Sequence, residues 1–468
     1  MPDTADTADT VDPAAGVGVL VPSGMLGAGF PPETIARGIA LGADVIAVDG
    51  GSTDSGPHYL GTGTAKTSAR AVRRDLRILL AAAAEAGIPL IIGSCGTSGS
   101  DSGVRWVADL VESVCAEDGL RLTVAKIFSE QRAERLLPAL AAGRIRPLPP
   151  SGALDPATLT DCARIVGMMG HEPIEQALRA GAQVVLAGRA TDTAASAVVP
   201  LMKGMPPGPV WHAAKIVECG GQCTTDPRSG GVFARIDATG FTIEPLDPDT
   251  ACTPTSVAAH MLYETADPYL MREPAGTIAV ADAHYTALDG RAVRVEGSRF
   301  EPANQYTVKL EGAAVAGYQT LSFVGIRDPR ILASIDEWAQ CLEKTLADRV
   351  ESVLEPAPGS WAMDLRLYGH NAVLGDLEPS SGPPTEVGAM LLVNAFDQET
   401  ATAISQLANP LLLHLPLPGM GYLPSFAFAT SPAHVDRGAV YEFVLNHVVE
   451  TDSPTALFRI EIEEPSRG

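Results

Sequence analysis

The sequence predicts an α/β fold whose N-terminal half is a doubly wound, mainly parallel sheet. In that half, apolar β-branched runs alternate with alanine- and leucine-rich stretches that have helical spacing. Strands separated by helices of ten to twenty residues are joined by crossover connections. Such connections indicate a mainly parallel sheet. After residue 225, short apolar runs separated by turns predict α+β regions with an antiparallel sheet.

The predicted elements follow one another in a regular order. In the first half, strands are predicted at residues 17–21, 43–48, 88–92, 121–127 and 183–187, and helices at 32–41, 68–86, 103–115, 130–142 and 174–180. Later strands are predicted at 277–280, 294–297, 305–310, 319–324 and 386–395, and helices at 331–346 and 398–408. The proline-rich segment 144–156 is interpreted as a functional loop.

Composition and length divide the chain and exclude several classes of protein. We expect a disordered acidic tail at 1–15, an α/β domain at 16–224, a strand-rich α+β region at 225–355 and a C-terminal α+β region at 356–468. The formal net charge of -23 disfavours nucleic acid and anionic membranes as partners. Seven cysteines, an odd number, favour the reducing cytoplasm, and Cys219 and Cys223 lack a second ligand pair that would indicate structural zinc. We expect a cytoplasmic homo-oligomer that binds a small molecule.

The most informative feature is a glycine-rich loop after the second predicted strand, where ligands bind in open α/β sheets. Asp54 is a candidate catalytic carboxylate there, as is Asp49 before it, and the alternative is that both only shape the turn. The loop amides can form an anion-binding nest. Its candidate substrate-binding residues are Gly50, Gly51, Ser52 and Thr53.

A second such loop follows the third predicted strand. Cys95 precedes a helix that we expect to be capped by Asp101 or Ser102, where exposed amides lower a thiol pKa. Cys95 is therefore a candidate nucleophile, although a cysteine at a strand end is more often a small buried hydrophobic residue. Ser94, Thr97 and Ser98 are interpreted as anion donors.

Two further polar groups follow the fifth predicted strand. Arg189 can grip a substrate carboxylate through its planar fork, with Asp192 orienting it, or the two form a surface ion pair. Lys215 and Glu218, three residues apart, are a candidate acid/base pair or a structural ion pair. Gln222 is a candidate ligand contact, and Lys66 a candidate contact for phosphate or coenzyme A.

Two stretches of sequence carry a resemblance to a known family. Residues 181–192 (GAQVVLAGRATD) and 215–222 (KIVECGGQ) resemble signatures of the acyclic terpene utilisation AtuA-like family, with Lys215 where we expect histidine. Some members of that family are described as methylaspartate ammonia-lyase-like. The resemblance implies catabolism of branched acyclic acids or their thioesters, sometimes with a small partner protein.

From these residues and this resemblance we expect an enzyme, a lyase or hydratase that adds or eliminates water or ammonia on a branched, carboxylate-bearing small substrate or its thioester. One alternative is a hydrolase that uses Cys95 or an activated water. Another is a non-catalytic subunit that binds an acyl ligand or acts as a scaffold. No cofactor is firmly implied and no metal ligand is assigned, although a coenzyme A thioester fits as substrate and Asp49, Asp54, Asp101 and Asp192 could gather Mg²⁺.

Overall fold

The computed structural model describes residues 16–379 and 382–464, so the tail predicted at 1–15 lies outside the described residues. The chain divides into two compact units, one formed by residues 16–314 with 443–464 and the other by residues 315–442. Among the described residues, no helix combines the length and apolar character that a bilayer crossing requires.

The strands are β1 (Val17–Val21), β2 (Val45–Asp49), β3 (Leu90–Gly93), β4 (Val124–Phe128), β5 (Ile145–Pro147), β6 (Cys162–Met168), β7 (Val184–Ala187), β8 (Val232–Ile236), β9 (Gly240–Pro245), β10 (Leu270–Glu273), β11 (Gly276–Ala279), β12 (His284–Ala287), β13 (Val293–Glu296), β14 (Arg299–Pro302), β15 (Thr307–Ile326), β16 (Trp361–Tyr368), β17 (Val387–Ala395), β18 (Ala427–Phe428), β19 (His434–Glu450) and β20 (Arg459–Glu463).

The helices are α1 (Pro32–Ala40), α2 (Pro57–Thr62), α3 (Ala69–Ala86), α4 (Asp101–Asp118), α5 (Ala133–Ala141), α6 (Pro156–Asp161), α7 (Glu172–Arg179), α8 (Ala194–Met202), α9 (Pro207–Val217), α10 (Pro254–His260), α11 (Pro329–Ala333), α12 (Ile335–Val353) and α13 (Gln398–His414). Short 3₁₀ helices span Thr53–Ser55, Gly220–Cys223 and Gly375–Leu377.

The first unit is built on a ten-stranded sheet with the order β12-β13-β9-β8-β1-β2-β3-β7-β4-β20. Its central strands β1, β2, β3, β7 and β4 pair in parallel, and the flanking strands pair antiparallel. This arrangement confirms the predicted mainly parallel sheet in the N-terminal half. Strands from the predicted 225–355 region join the same sheet beside β1, and the predicted domain boundaries stay predictions.

Both faces of this sheet are buried. Side chains of successive strand residues point to opposite faces, so each central strand contributes to two hydrophobic cores. In β1, Val19 belongs to one hydrophobic core and Leu20 to the other. Helices α1, α3 and α4 cover the Leu20 face, and α5, α7, α8 and α9 cover the Val19 face. Helices on both faces define the doubly wound architecture that the alternating pattern predicted.

Antiparallel pairing follows, as predicted. In the first unit β10, β11 and β14 form a small sheet, β6 pairs with residues 309–314 of β15, and β5 pairs with residues 447–449 of β19. In the second unit β17 pairs antiparallel with β16 and with residues 318–326 of β15. There α12 and α13 supply Trp338, Leu342, Ile404 and Leu412 to the hydrophobic core.

Several local predictions need correction. The strands predicted at 305–310 and 319–324 are parts of one strand, β15, whose residues 309–314 pair with β6 and whose residues 318–326 pair with β17. The helix predicted at 331–346 is two helices, α11 and α12, which meet at Ser334. Helices α8 and α9 were not predicted; they contain prolines, which α9 accommodates in its first turn.

Candidate active site

A cleft of about 590 Å³ opens in the first unit at the carboxyl ends of β1, β2 and β7. Loops that follow these strands form one side, and residues that follow α9 and α10 form another. Eight of the residues singled out from the sequence line the cleft: Asp49, Gly51, Ser52, Asp54, Lys66, Asp192, Glu218 and Gln222.

Asp49, the last residue of β2, contributes a buried carboxylate to the cleft. Its Oδ1 has no hydrogen-bond partner among the described residues. Burial, and next the neighbouring carboxylate of Asp192, raises the pKa of Asp49 well above its usual range, whereas Arg189 and the amides of Gly50 and Gly51 oppose the shift. Burial therefore favours the protonated form of the Asp49 carboxyl.

The loop after β2 is shaped by its glycines and by Ser52. Gly51 has a φ of 137°, and a Cβ there would lie 2.5 Å from the Cα of Thr97, so only glycine fits. Ser52 Oγ accepts from the Asp54 amide at 3.1 Å, which leaves the exposed Asp54 carboxylate at the cleft.

Two residues of this loop do not line the cleft. The Gly50 amide donates to the Gly93 carbonyl at 2.7 Å, so it cannot serve the predicted anion nest. Thr53 is buried, and its hydroxyl donates to Glu311 at 3.1 Å.

The loop after β3 is fully buried and is not part of the cleft lining. Ser94 Oγ accepts from Arg189, Thr97 Oγ1 accepts from the Lys66 amide, and Ser98 Oγ donates to the Tyr59 carbonyl. These hydroxyls bind other loops rather than facing open space. Helix α4 is capped by Ser100, which accepts from the Gly103 amide at 3.2 Å, and not by Asp101 or Ser102 as the sequence predicted.

Cys95 lies in the same buried loop and is 0% exposed. Its Sγ contacts the Ile92 carbonyl at 3.6 Å, and burial, then the nearby Asp49 carboxylate, raises the pKa of the thiol. Because the thiolate is the nucleophile, this environment disfavours nucleophilic catalysis by Cys95. The structure instead places it as a small core residue.

Arg189 is 3% exposed and already paired within the protein. Its Nε donates to Glu311 Oε2 at 2.9 Å, and its Nη1 lies 3.3 Å from Asp192 Oδ1 and 3.2 Å from Ser94 Oγ. Although burial opposes ionisation of Glu311, Arg189 and Lys309 lower its pKa to about 2. The guanidinium thus holds Asp192 from inside the protein, and neither Arg189 nor Cys95 lines the cleft that Asp54 borders.

Lys215 and Glu218 form a buried ion pair at the end of α9. Burial raises the pKa of Glu218 well above its usual range, and Lys215 offsets part of that rise. Burial would lower the pKa of Lys215, yet Glu218 raises it. Glu218 and Cys219 face the cleft, and Lys215 Nζ lies 5.8 Å from the centre of the Tyr263 ring.

The sequence did not point to several residues at or near the cleft. His260 ends α10, and burial, then Lys215, lowers its pKa to about 4. Tyr263 and Glu264 follow it and line the cleft, whereas Glu311 reaches Arg189 from β15. None of these residues carries a motif or spacing that ties it to the earlier loops; only the positive φ of 51° at Glu264 marks an unusual backbone.

The cleft is acidic. Its charged lining consists of five carboxylates and two cations: Asp49, Asp54, Asp192, Glu218, Glu264, Lys66 and Arg228. Asp101 is not part of it, because its Oδ1 accepts from the Glu130 amide at 3.1 Å. The four aspartates considered for Mg²⁺ are therefore not brought together.

A comparison with family models matches residues 62–442 to the acyclic terpene utilisation family protein AtuA. The match spans both sequence signatures and most of the residues around the cleft. Searches of curated proteins and of solved structures gave no match.

Proposed function

Because the chain belongs to the AtuA family of acyclic terpene utilisation proteins, a catabolic family by its description, we propose that the cleft is the active site of a lyase or hydratase. The reaction adds or eliminates water or ammonia on a branched, carboxylate-bearing acid, bound as its thioester. One observation carries the proposal: two carboxylates, Asp49 and Asp192, interact in one cleft but lie in different environments.

Elimination next to a carbonyl needs a base for the α-proton and an acid for the leaving group. Two carboxylates in different environments supply such a pair. Asp192 is ion-paired with Arg189 and is assigned as the base. Asp49 has a raised pKa and is assigned as the acid, which gives its proton to the departing oxygen or nitrogen. In the addition reaction Asp49 acts as the base and Asp192 as the acid.

The charge of the cleft favours a thioester over a free acid at the reacting end. A free carboxylate placed among the acidic side chains would be repelled, whereas a thioester carbonyl is neutral. The anionic remainder of the substrate needs cations, and Lys66 is the candidate contact. Its side chain is exposed at the cleft, with Nζ 3.4 Å from Ser55 Oγ.

The test uses the purified full-length chain with branched 2-enoyl and 3-hydroxyacyl coenzyme A thioesters, and with the corresponding free acids, in D₂O. We expect interconversion of the thioester pair with deuterium at the α-carbon. Asp49→Asn should lower turnover by about 10²- to 10⁴-fold. The matched control is Asp155→Asn, an exposed helix cap that asparagine can replace, which should keep full turnover.

Other outcomes contradict the proposal. Release of free coenzyme A without deuterium uptake indicates a hydrolase that uses an activated water. Tight thioester binding without any turnover, in the wild type and both variants, indicates an acyl-ligand-binding subunit. Full turnover by Asp49→Asn refutes the assignment of Asp49 as the acid.

A further inference from the structure

Three potential metal ligands of different chemistry meet beside the cleft. Glu218 and Cys219 directly follow α9, and His260 is the last residue of α10, which packs against the 3₁₀ helix that begins at Gly220. One donor atom from each of the three lies within 4.8 Å of the other two. Metal–ligand bonds of roughly 2.0–2.3 Å hold donor atoms somewhat closer than this, so small side-chain adjustments would close the site.

His260 supplies an independent reason to expect a ligand. The residue is 4% exposed, and its Nε2 is buried without a hydrogen-bond partner among the described residues. Leaving a buried polar group unsatisfied is unfavourable, because the group has lost its hydrogen bonds to water. The ring stacks on Tyr263, with centroids 5.5 Å apart, and this contact fixes its plane but satisfies neither nitrogen.

The charged side chains around the three potential ligands favour a bound cation. Asp192 and Glu264 line the cleft beside Glu218 and Cys219. Lys215 opposes a cation, but it donates to Glu218 Oε1, and a carboxylate has a second oxygen with which to bind an ion. Lys215 can therefore remain as an outer partner that orients Glu218, as the partners of metal ligands commonly do.

We propose that Glu218, Cys219 and His260 bind a zinc-type divalent cation at the edge of the cleft. A thiolate, an imidazole and a carboxylate suit zinc or cobalt, whereas magnesium and calcium prefer oxygen ligands alone. Three protein ligands leave a coordination position for water or substrate, and Glu218 and Cys219 both face the cleft. This inference does not depend on the proposed lyase activity.

The experiment measures metal binding directly on the full-length chain. Protein stripped by a chelator is titrated with Zn²⁺ against a chromophoric competitor, and separately with Co²⁺. We expect one equivalent of each metal, and thiolate-to-cobalt charge-transfer absorption. Cys219→Ser and His260→Ala should each weaken Zn²⁺ binding by at least about 100-fold, the upper range for loss of an outer-shell partner. In Cys219→Ser the charge-transfer band should disappear.

The matched control is Cys115→Ser, which removes a partly exposed thiol in α4 and should leave both titrations unchanged. Circular dichroism of the metal-free variants checks that each remains folded, and Cys219→Ser, nearly isosteric, covers the case in which His260→Ala does not fold. Absence of stoichiometric Zn²⁺ in the wild type overturns the proposal. Equal Zn²⁺ affinity in the wild type and Cys219→Ser overturns it as well. Neither result depends on turnover, so each is distinguishable from failure of the lyase proposal.

Discussion

Replacing Arg189 by methionine tests whether this residue is a structural cation or an anchor for the substrate. The guanidinium is buried against Glu311, whose side chain is 9% exposed, and the two atoms Nε and Oε2 lie 2.9 Å apart. Methionine keeps an unbranched apolar stem but removes the guanidinium, which leaves Glu311 with Lys309 as its remaining cation, at 2.8 Å from Oε1. We expect a large loss of stability, because a buried carboxylate that loses its partner keeps its desolvation cost.

The magnitude follows from the pKa of Glu311, which falls from an ordinary 4.5 to about 2 in the folded protein. At about 1.36 kcal/mol per pH unit, this difference corresponds to roughly 3 kcal/mol of the free energy of unfolding. Breaking a buried ion pair costs about 3–5 kcal/mol, and Lys309 places the expected loss at the lower end. A lowered carboxylate pKa stabilises the fold above pH 4.5 and ceases to do so as the pH falls through about 2.

The assay is chemical unfolding of the wild type and Arg189→Met at pH 7 and at steps below pH 4.5, followed by circular dichroism. The stability difference should be largest at pH 7 and shrink on acidification. Arg179→Met is the matched control, because Arg179 is exposed in its pair with Glu175 and should contribute under about 1 kcal/mol. If Arg189→Met is as stable as Arg179→Met but has a greatly raised KM, the structural role is refuted and the anchor predicted from sequence is restored.

Three further predictions concern buried groups of the same unit. Cys95→Ala should keep turnover within about tenfold, and the native thiol should resist alkylating reagents; rapid labelling with loss of turnover would restore the nucleophile. Lys215→Met should destabilise the fold by about 3 kcal/mol, and the double variant Lys215→Met/Glu218→Gln should destabilise it by less. A stable Lys215→Met variant whose turnover is lowered by orders of magnitude would instead favour the acid/base pair. Burial raises the pKa of Glu273 from 4.5 to about 7, so its favourable contribution is complete below pH 4.5 and declines as pH rises through 7. Glu273→Gln should therefore gain roughly 3 kcal/mol relative to the wild type between pH 4.5 and pH 9 in unfolding titrations, and a pH-independent difference would contradict the shift.

The fold class could be predicted from the sequence, because hydrophobic periodicity and composition are local properties. Helix α3 buries Val72, Leu76, Leu79, Leu80 and Ala83, which recur at helical spacing, and the strands of the parallel sheet are short apolar runs. Parallel pairing then brings the loops after these strands to one edge. For this reason Asp54 and Asp192, chosen from local motifs, line one cleft, whereas Glu218 and Gln222 reach it from the end of α9; the roles of all four stay predictions.

Which polar residues face the cleft, and which are paired inside the protein, could not be predicted from the sequence. The second glycine-rich loop resembles the first in composition, yet its hydroxyls are buried and bonded within the protein. Their partners are Arg189, the Lys66 amide and the Tyr59 carbonyl. Arg189 donates to Glu311, which lies 122 residues away in the sequence, and His260 approaches Glu218 and Cys219 from another helix. Such pairings depend on how distant segments pack and on which buried groups remain unsatisfied, and no local pattern of residues encodes either.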